Sequence, residues 1–508
     1  MQNIHLDGNQ LTLENFREIV VNFHPVGITA ETKNKLTKSR EVVERAIKTG
    51  ERVYSINTGF GSLSKVKIDA DKLDELQVNL IRSHCAGVDE IHGETESRAI
   101  LLLRVNVLAK GFSGVRPELV EFLISMLNKK IHAVIPSKGS VGASGDLSPL
   151  SHLASVIIGE GEAFFENRRM SGAEALRHAG LTPVKLAPKE GLSLINGTQQ
   201  MTAQGALTLL RTEELLDLAD LICATSLEGV LGTPRAYAAW IQDTRPYAGQ
   251  KESARLLRSF MEDSEIYQSH LHCDRVQDPY SFRCAPQVHG ASRDLISYVR
   301  NVLTIEMNSA TDNPLVNATT GELVSNGNFH GQPVAFALDI LGMAISEISS
   351  ISERRTAKLI DPVFSELPAF LVKHEGLNSG FMAAGYTTAS LIAENRLLTH
   401  PASTDSIPTS NEKEDHVSMG PNAARKANVI LKNTIYVLAI EAMVAAQALE
   451  FRKPLKPGRG PRFLYKKVRE LVEPLEKDRY LHHDIEKLAA IIQDGSLHQA
   501  LKGEFHEI

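Results

Sequence analysis

Three consecutive residues, Ala143-Ser144-Gly145, carry the least ordinary chemistry in this chain. They lie in Gly139-Ser140-Val141-Gly142-Ala143-Ser144-Gly145-Asp146-Leu147-Ser148-Pro149-Leu150. This is a glycine-rich turn in which Asp146 and Ser148-Pro149 read as the cap and first position of a new helix. Such a turn suits an anion, so a phosphate cradle or a plain loop is one reading. The stretch has neither the G-x-x-x-x-G-K-[ST] pattern nor the G-x-S-x-G nucleophile elbow. A different reading uses the main chain itself. A bent backbone brings the Gly145 nitrogen onto the Ala143 carbonyl carbon, because glycine has no side chain to block the approach. Loss of one water closes a five-membered ring. Loss of the Ser144 hydroxyl as a second water leaves an exocyclic methylidene conjugated to that ring, an electrophile that no encoded side chain supplies.

Other polar clusters stand at the starts of long apolar runs. They are Leu194-Ile195-Asn196-Gly197-Thr198-Gln199, the segment from Gln277-Asp278-Pro279-Tyr280 through Arg283 to Gln287, Asn326-Gly327-Asn328-Phe329-His330, and Glu412-Lys413-Glu414-Asp415-His416. Asn or Asp at such places is commonly only a cap, and Arg283 alone can be a surface ion pair. Four helix entrances converging on one bundle end would instead form a pocket of amide donors, one guanidinium and one carboxylate, which is what an amino acid needs. Upstream, Val53 to Ser62 reads as a strand running into a Gly-hinged loop. That places Tyr54 either as surface decoration or on a mobile lid. The spacing of Leu73, Leu76, Leu80 and Ile81 predicts a helix over 71–82 that delivers Ser83-His84 at its C-terminal end, where a histidine also complements the helix dipole. Ser62-Leu63-Ser64-Lys65 matches S-x-x-K, but Lys48-Thr49-Gly50 precedes it and no S-D-N exists, so the match is chance.

The elements that must position these residues are mostly helical. Thr12 and Thr29 open two short amphipathic runs, and further helices are expected over 96–110, 117–129 and 148–158, followed by a turn with short strands near Phe164-Phe165. Long uninterrupted helical runs cover 198–227, 288–309, 329–359 and 417–451. At about 1.5 Å per residue, the longest reach about 45 Å. They are apolar on more than one side, so they must be buried between other helices, with neighbouring subunits completing the bundle. Segments 361–379 and 399–413 read as loops, and the last sixty residues as shorter charged helices. The expected division is an N-terminal part, 1–197, carrying the glycine-rich loop, and a long-helix part, 198–508.

Composition narrows the function classes. The chain has 508 residues, 43% hydrophobic and 23% charged, with a net charge of -6, so no basic stripe invites nucleic acid. The most apolar stretch, 435–449, contains Glu441 and Gln447 and is too short for a membrane span. The start, Met1-Gln2-Asn3-Ile4-His5, lacks a secretory pattern, and Cys85, Cys223, Cys273 and Cys284 have no C-x-x-C pairing, so reduced thiols and a cytoplasmic location are expected. His270-Leu271-His272-Cys273-Asp274 crowds metal-ligating types without a partner cluster, and no metal is expected there.

With these clusters on the page, the chain resembles the aromatic amino-acid ammonia-lyases over nearly its whole length. The matching stretches, in order, are Tyr-Ser-Ile-Asn-Thr-Gly-Phe-Gly with Tyr54, Ala143-Ser144-Gly145, Leu-Ile-Asn-Gly-Thr-Gln with Asn196, Gln-Asp-Pro-Tyr-Ser-Phe-Arg-Cys with Gln277, Tyr280 and Arg283, and Gly-Asn-Phe-His with Phe329. Ser83-His84 and Glu-Asp-His-Val-Ser-Met, carrying Glu414, resemble the histidine-acting members, whereas the phenylalanine enzymes have an apolar pair and an amide-rich segment there. Ser55 stands where glycine is usual and Lys413 where glutamine is usual. The resemblance implies a mainly α, fumarase/aspartase-like long-helix bundle, a homotetramer with shared active sites, and a methylidene-imidazolone (MIO) made autocatalytically from residues 143–145 with no external cofactor.

The same resemblance distributes the roles. The β-hydrogen of an amino acid is scarcely acidic, and acid-base help of roughly 10² to 10⁴ falls short of ordinary enzymatic accelerations, so an electrophile is needed to hold the amine. Tyr54 is then the base, and its phenol must shift down from about 10. Arg283 holds the substrate carboxylate. Asn196, Gln277 and Tyr280 share support of the ring oxygen, carboxylate or amine, Tyr280 on the catalytic side. Phe329 lines the pocket, and Asp146 and Ser148 either assist ring closure or only cap a helix. His84 and Glu414 complement an imidazole, which has both a donor and an acceptor nitrogen. The implied reaction converts L-histidine to trans-urocanate and ammonia. Alternatives are a tyrosine ammonia-lyase or aromatic aminomutase of the same fold, or a silent helical scaffold or metabolite-binding protein.

Overall fold

Helices carry most of this chain, and the spacing of apolar residues explains where they lie. The structure, a computed structural model, describes residues 3–49, 58–59, 61–63, 65–66 and 68–506. Thr12 caps the helix Leu13–Val20 by accepting from the Asn15 nitrogen, and Leu13, Phe16, Ile19 and Val20 form its buried face. Helix Ala30–Thr49 follows, then Leu73–His84, Glu94–Ala109, Pro117–Asn128, Ser148–Ile157 and Glu190–Ile195. The four long helices are Gln199–Gly229, Ala285–Met307, Gln332–Ile360 and Gly420–Glu450. Two of them begin three residues later than the apolar periodicity predicts. Phe329 and Val417 remain in the preceding loops, and Met419 at φ +55° breaks the helical path before Gly420.

Strands are few and short. Ile4–His5 pairs in parallel with Val26–Gly27, and Val88–Ile91 pairs antiparallel with Pro136–Lys138. His132–Ala133, Glu162–Phe165 and Arg168–Ser171 form a three-stranded antiparallel sheet, and Leu315–Asn317 with Glu322–Val324 makes a hairpin. The segment expected as a loop at 361–379 holds the short helix Pro362–Ser365, capped by Asp361, and a further helix, Met382–Leu398, follows it.

The chain divides into two compact units. One comprises Met1–Leu207, Arg300–Asp339 and Pro401–Arg425, and the other Thr208–Val299, Ile340–His400 and Lys426–Ile508. In the first unit Glu94–Ala109 is the central helix, with every residue from 97 to 109 buried. It carries two buried arginines that donate chiefly to backbone carbonyls, which offsets part of the cost of burying a charge. Arg98 donates to the carbonyls of Ile19 (2.8 Å) and Leu127, and Arg104 donates to the Asn196 carbonyl and Gln199 Oε1, both at 2.7 Å.

The second unit is threaded by a buried polar network among its long helices. Glu441 receives Arg355 through Nε at 2.5 Å and Nη2 at 2.9 Å, together with the hydroxyls of Ser226 and Ser352. Arg355 Nη1 lies 3.3 Å from His289 Nε2, whose Nδ1 is 2.7 Å from Asp220. Asp220 also receives Ser253 and Arg293. Burial alone would lift the Asp220 carboxyl, but Arg293 and His289 bring it below the ordinary range. The helices Gln332–Ile360 and Gly420–Glu450 are long and apolar enough to cross a bilayer, yet 72% and 83% of their most apolar windows are buried, as in core helices. All four cysteines are free thiols.

Candidate functional site

The glycine-rich loop is held from two sides within the first unit. Gly139, Gly142 and Gly145 have φ of +138°, +68° and +72°, conformations that glycine alone enters without strain. Space is as restrictive as the dihedral angle. A Cβ on Gly145 would sit 2.3 Å from the Gly197 oxygen, and one on Gly142 would sit 2.3 Å from the Ser418 hydroxyl. On one side the Asp146 nitrogen donates to the Gly197 carbonyl at 2.7 Å, and Asn196 Nδ2 donates to the Ser144 carbonyl at 2.7 Å and to its hydroxyl at 2.6 Å. On the other, Met419 N donates to the Val141 carbonyl at 2.9 Å, and the Ser418 hydroxyl to the Gly142 carbonyl at 3.0 Å. Ala143, Val417 and Met419 form a small apolar cluster beneath.

Asp146 does not cap the helix that follows it. Leu147, at φ +50°, occupies the cap position of Ser148–Ile157 without a side-chain bond, while Asp146 Oδ2 accepts from the Gln200 nitrogen at 2.6 Å and so caps the long helix Gln199–Gly229 instead. Complete burial pushes the Asp146 carboxyl up to about 8, against the lowering pull of the Gln200 and Met201 amides. Among the described residues, its second oxygen, the Ser148 hydroxyl and Asn196 Oδ1 are buried without a hydrogen-bond partner. An acid whose folded pKa is raised binds a proton that the unfolded chain has released. Asp146 therefore costs no stability below the unfolded value near 4, and its destabilising effect accumulates as pH climbs toward 8. Melting temperatures measured from pH 5 to 9 should fall less steeply for Asp146→Asn, which keeps an acceptor for Gln200 but has no proton to lose. Parallel curves would remove Asp146 as the source.

The loops carrying Phe329 and Glu414 meet beside the glycine-rich loop. The rings of His330 and His416 lie 5.4 Å apart, and a Cβ on Gly331 would touch Met201 and Ser418. Glu414 is half-buried, with Oε2 accepting from the Thr409 hydroxyl at 2.7 Å. Three of the four predicted helix entrances thus belong to one unit: those at 194–199, 326–330 and 412–416.

His84 lies in the same unit, its Nδ1 2.8 Å from the Leu80 carbonyl at the end of its own helix and 3.1 Å from the Ser83 hydroxyl. A carbonyl only accepts, so Nδ1 carries the proton and the lone pair of the neutral ring is on Nε2. Gln277, Tyr280 and Arg283 belong to the second unit, where Gln277 and Arg283 line a hollow of about 240 Å³. Arg283 Nε donates to the Asp278 carbonyl at 3.3 Å, and its guanidinium lies 4.9 Å from the Tyr280 ring centroid. Among the described residues neither Nη group has a hydrogen-bond partner, which leaves both for a bidentate one. Tyr54 lies outside the described residues.

Motif reading gives no role to Arg104 or Ser418, which support the loop and its neighbours. Arg104 has a signal, a lone charge inside Ile100-Leu101-Leu102-Leu103-Arg104-Val105. Ser418 lies in the Glu-Asp-His-Val-Ser-Met stretch, but nothing local points to its contact, which spans 276 positions.

The chain is similar to known proteins over most of its length. A family model described as aromatic amino acid lyase matches residues 11–470. Histidine ammonia-lyase of Myxococcus xanthus is 51% identical over 499 residues, covering 98% of each chain. Among solved structures, histidine ammonia-lyase from Trypanosoma cruzi superposes with a TM-score of 0.91 at 40% identity, over 99% of this chain and 96% of that one. Tyrosine aminomutase from Streptomyces globisporus superposes with a TM-score of 0.93 at 38% identity, over 99% of both. The helical architecture, the held glycine-rich loop and a match spanning most of the sequence place this chain in the aromatic amino acid lyase family.

Proposed function

We propose that the chain is a histidine ammonia-lyase, eliminating ammonia from L-histidine to give trans-urocanate. The observation that carries this reading is the Asn196 amide placed 2.7 and 2.6 Å from the two oxygens of Ser144, in a loop that glycines alone can follow. Residues 143–145 fit the methylidene-imidazolone that the family resemblance implies. Gly145 leaves its nitrogen unshielded, Ser144 has the hydroxyl to lose, and Asn196 is aimed at the oxygen that the ring would keep. When formed, that group supplies an electron sink for the substrate's amine.

The remaining work falls to side chains. Tyr54 takes the β-proton, Arg283 pairs with the carboxylate through its open Nη groups, and Gln277 and Tyr280 share the polar groups at that end. Phe329 lines the pocket. His84 Nε2 and the Glu414 carboxylate oxygen that Thr409 does not occupy are both acceptors, so together they suit the two N–H groups of a protonated imidazole ring. A phenyl ring would strand both at about 1–3 kcal/mol each, which favours histidine over phenylalanine. Assay of the purified protein with histidine, tyrosine and phenylalanine tests this reading. Faster turnover of tyrosine, or its conversion to a β-amino acid, would move the assignment to the tyrosine ammonia-lyase or aminomutase alternative.

Glu414→Ala is expected to lower kcat/KM for histidine by roughly ten- to a hundredfold while the melting temperature stays within a few degrees. Parallel loss of folded protein and of activity would make Glu414 a structural carboxylate. The reading includes a cytoplasmic homotetramer. Apolar side chains left exposed on the long helices, Leu295 and Tyr298 on one, Phe336 and Met343 on another, support self-association.

A further inference from the structure

Tyr280 and Arg283 begin and end a helix of only four residues, Tyr280–Arg283. A single turn has no stability of its own, so whatever holds it sets where both side chains point. Tyr280 is 72% exposed and lends the turn little burial, whereas Ser281 and Phe282 face inward. Their carbonyls meet two buried donors. Tyr237 Oη donates to the Phe282 carbonyl at 2.8 Å, and Arg355 Nη1 reaches the Ser281 carbonyl at 3.4 Å. Tyr237 is fully buried at the end of the turn Pro234–Tyr237. The residue before that turn, Thr233, donates its nitrogen to Asp278 Oδ2 at 2.8 Å, so one short segment grips the Tyr280–Arg283 turn from both ends. Burial raises the Tyr237 phenol well above its ordinary value, so the hydroxyl keeps its proton and remains a donor.

We propose that Tyr237 is a positioning residue for carboxylate recognition, its buried hydroxyl fixing the turn that carries Tyr280 and Arg283. This rests on the reading above in which Arg283 pairs with the substrate carboxylate. Tyr237→Phe keeps the packed ring and removes only the donor. Inhibition by urocanate, which bears the carboxylate, should weaken about three- to tenfold, while inhibition by 4-methylimidazole, which has none, stays unchanged. With histidine the loss should appear mainly in KM. A general loosening of the fold would weaken both inhibitors together, and that result, or no change in either, overturns the proposal. Tyr237→Met provides a second hydroxyl-free interior should the phenylalanine variant not fold. Arg283→Gln separates the two levels. Selective loss of urocanate in Arg283→Gln but not in Tyr237→Phe rejects the role of Tyr237 alone, and no selective loss in Arg283→Gln rejects the carboxylate pairing itself.

Discussion

Ser144→Ala is expected to yield a folded protein that has lost about a thousandfold or more of its turnover. In the proposed chemistry the hydroxyl of Ser144 is the leaving group whose departure would create the methylidene, and alanine has nothing to expel. What remains is positioning and proton transfer, and general acid-base help contributes only roughly 10² to 10⁴ of an acceleration that in enzymes commonly exceeds 10⁶. The fold should survive. Ser144 is only half-buried, alanine is smaller, and Asn196 keeps its bond to the residue 144 carbonyl. Intact mass spectrometry is the direct reading: the native chain should be lighter than its sequence by two waters and the variant should not. A native chain of full sequence mass that still turns over histidine, or an alanine variant of native activity, would end the proposed chemistry.

Glu441→Ala is expected to cost the largest stability of any single change considered, about 3–5 kcal/mol. Glu441 and Arg355 have fully buried side chains, and the guanidinium spends two donors on this one carboxylate. Removing the glutamate leaves Arg355 charged, dry and short of acceptors, and strands the hydroxyls of Ser226 and Ser352 as well. Urea unfolding should show the midpoint falling with an unchanged slope. The double change Glu441→Leu with Arg355→Met should cost clearly less than the sum of the single changes, because it removes both charges. Single changes costing under about 1 kcal/mol would mean that the stranded charge finds another partner. Since Arg355 also reaches the Ser281 carbonyl, losses here extend to the turn bearing Tyr280 and Arg283.

The helical framework was legible because apolar residues recur around whole helices. Ala335-Phe336-Ala337-Leu338 and Ala439-Ile440-Glu441-Ala442-Met443 are apolar on more than one side, so each of these runs reads as a helix packed between others. Helix starts were less legible. Phe329 and Val417 continue the apolar period, and nothing local announces the positive φ of Met419. Met382–Leu398 escaped notice because only Ala384, Thr388, Ile392 and Asn395 are buried, too sparse and too polar a stripe to stand out.

At the candidate site, the loop and its neighbours Asn196, Phe329 and Glu414 could be named from local motifs. The partners that hold them could not. Asp-Leu-Ser-Pro satisfies a local capping pattern completely, so the true destination of the Asp146 carboxylate, 54 positions away on Gln200, is invisible without the fold. Tyr237 likewise sits in Pro-Arg-Ala-Tyr, an unremarked stretch whose meaning comes from a carbonyl 45 positions later.

The ties from Ser418 and Met419 to the glycine-rich loop bear on timing during synthesis. Half of the scaffold that bends residues 139–145 is encoded by codons translated only after four-fifths of the polypeptide has emerged, so a ribosome-bound or prematurely terminated chain lacks the mould in which the proposed ring would close. On that reading, truncated products would carry no loose alkylating group. Ring closure would then certify completeness, issued by the last segment of this unit to arrive, Pro401–Arg425.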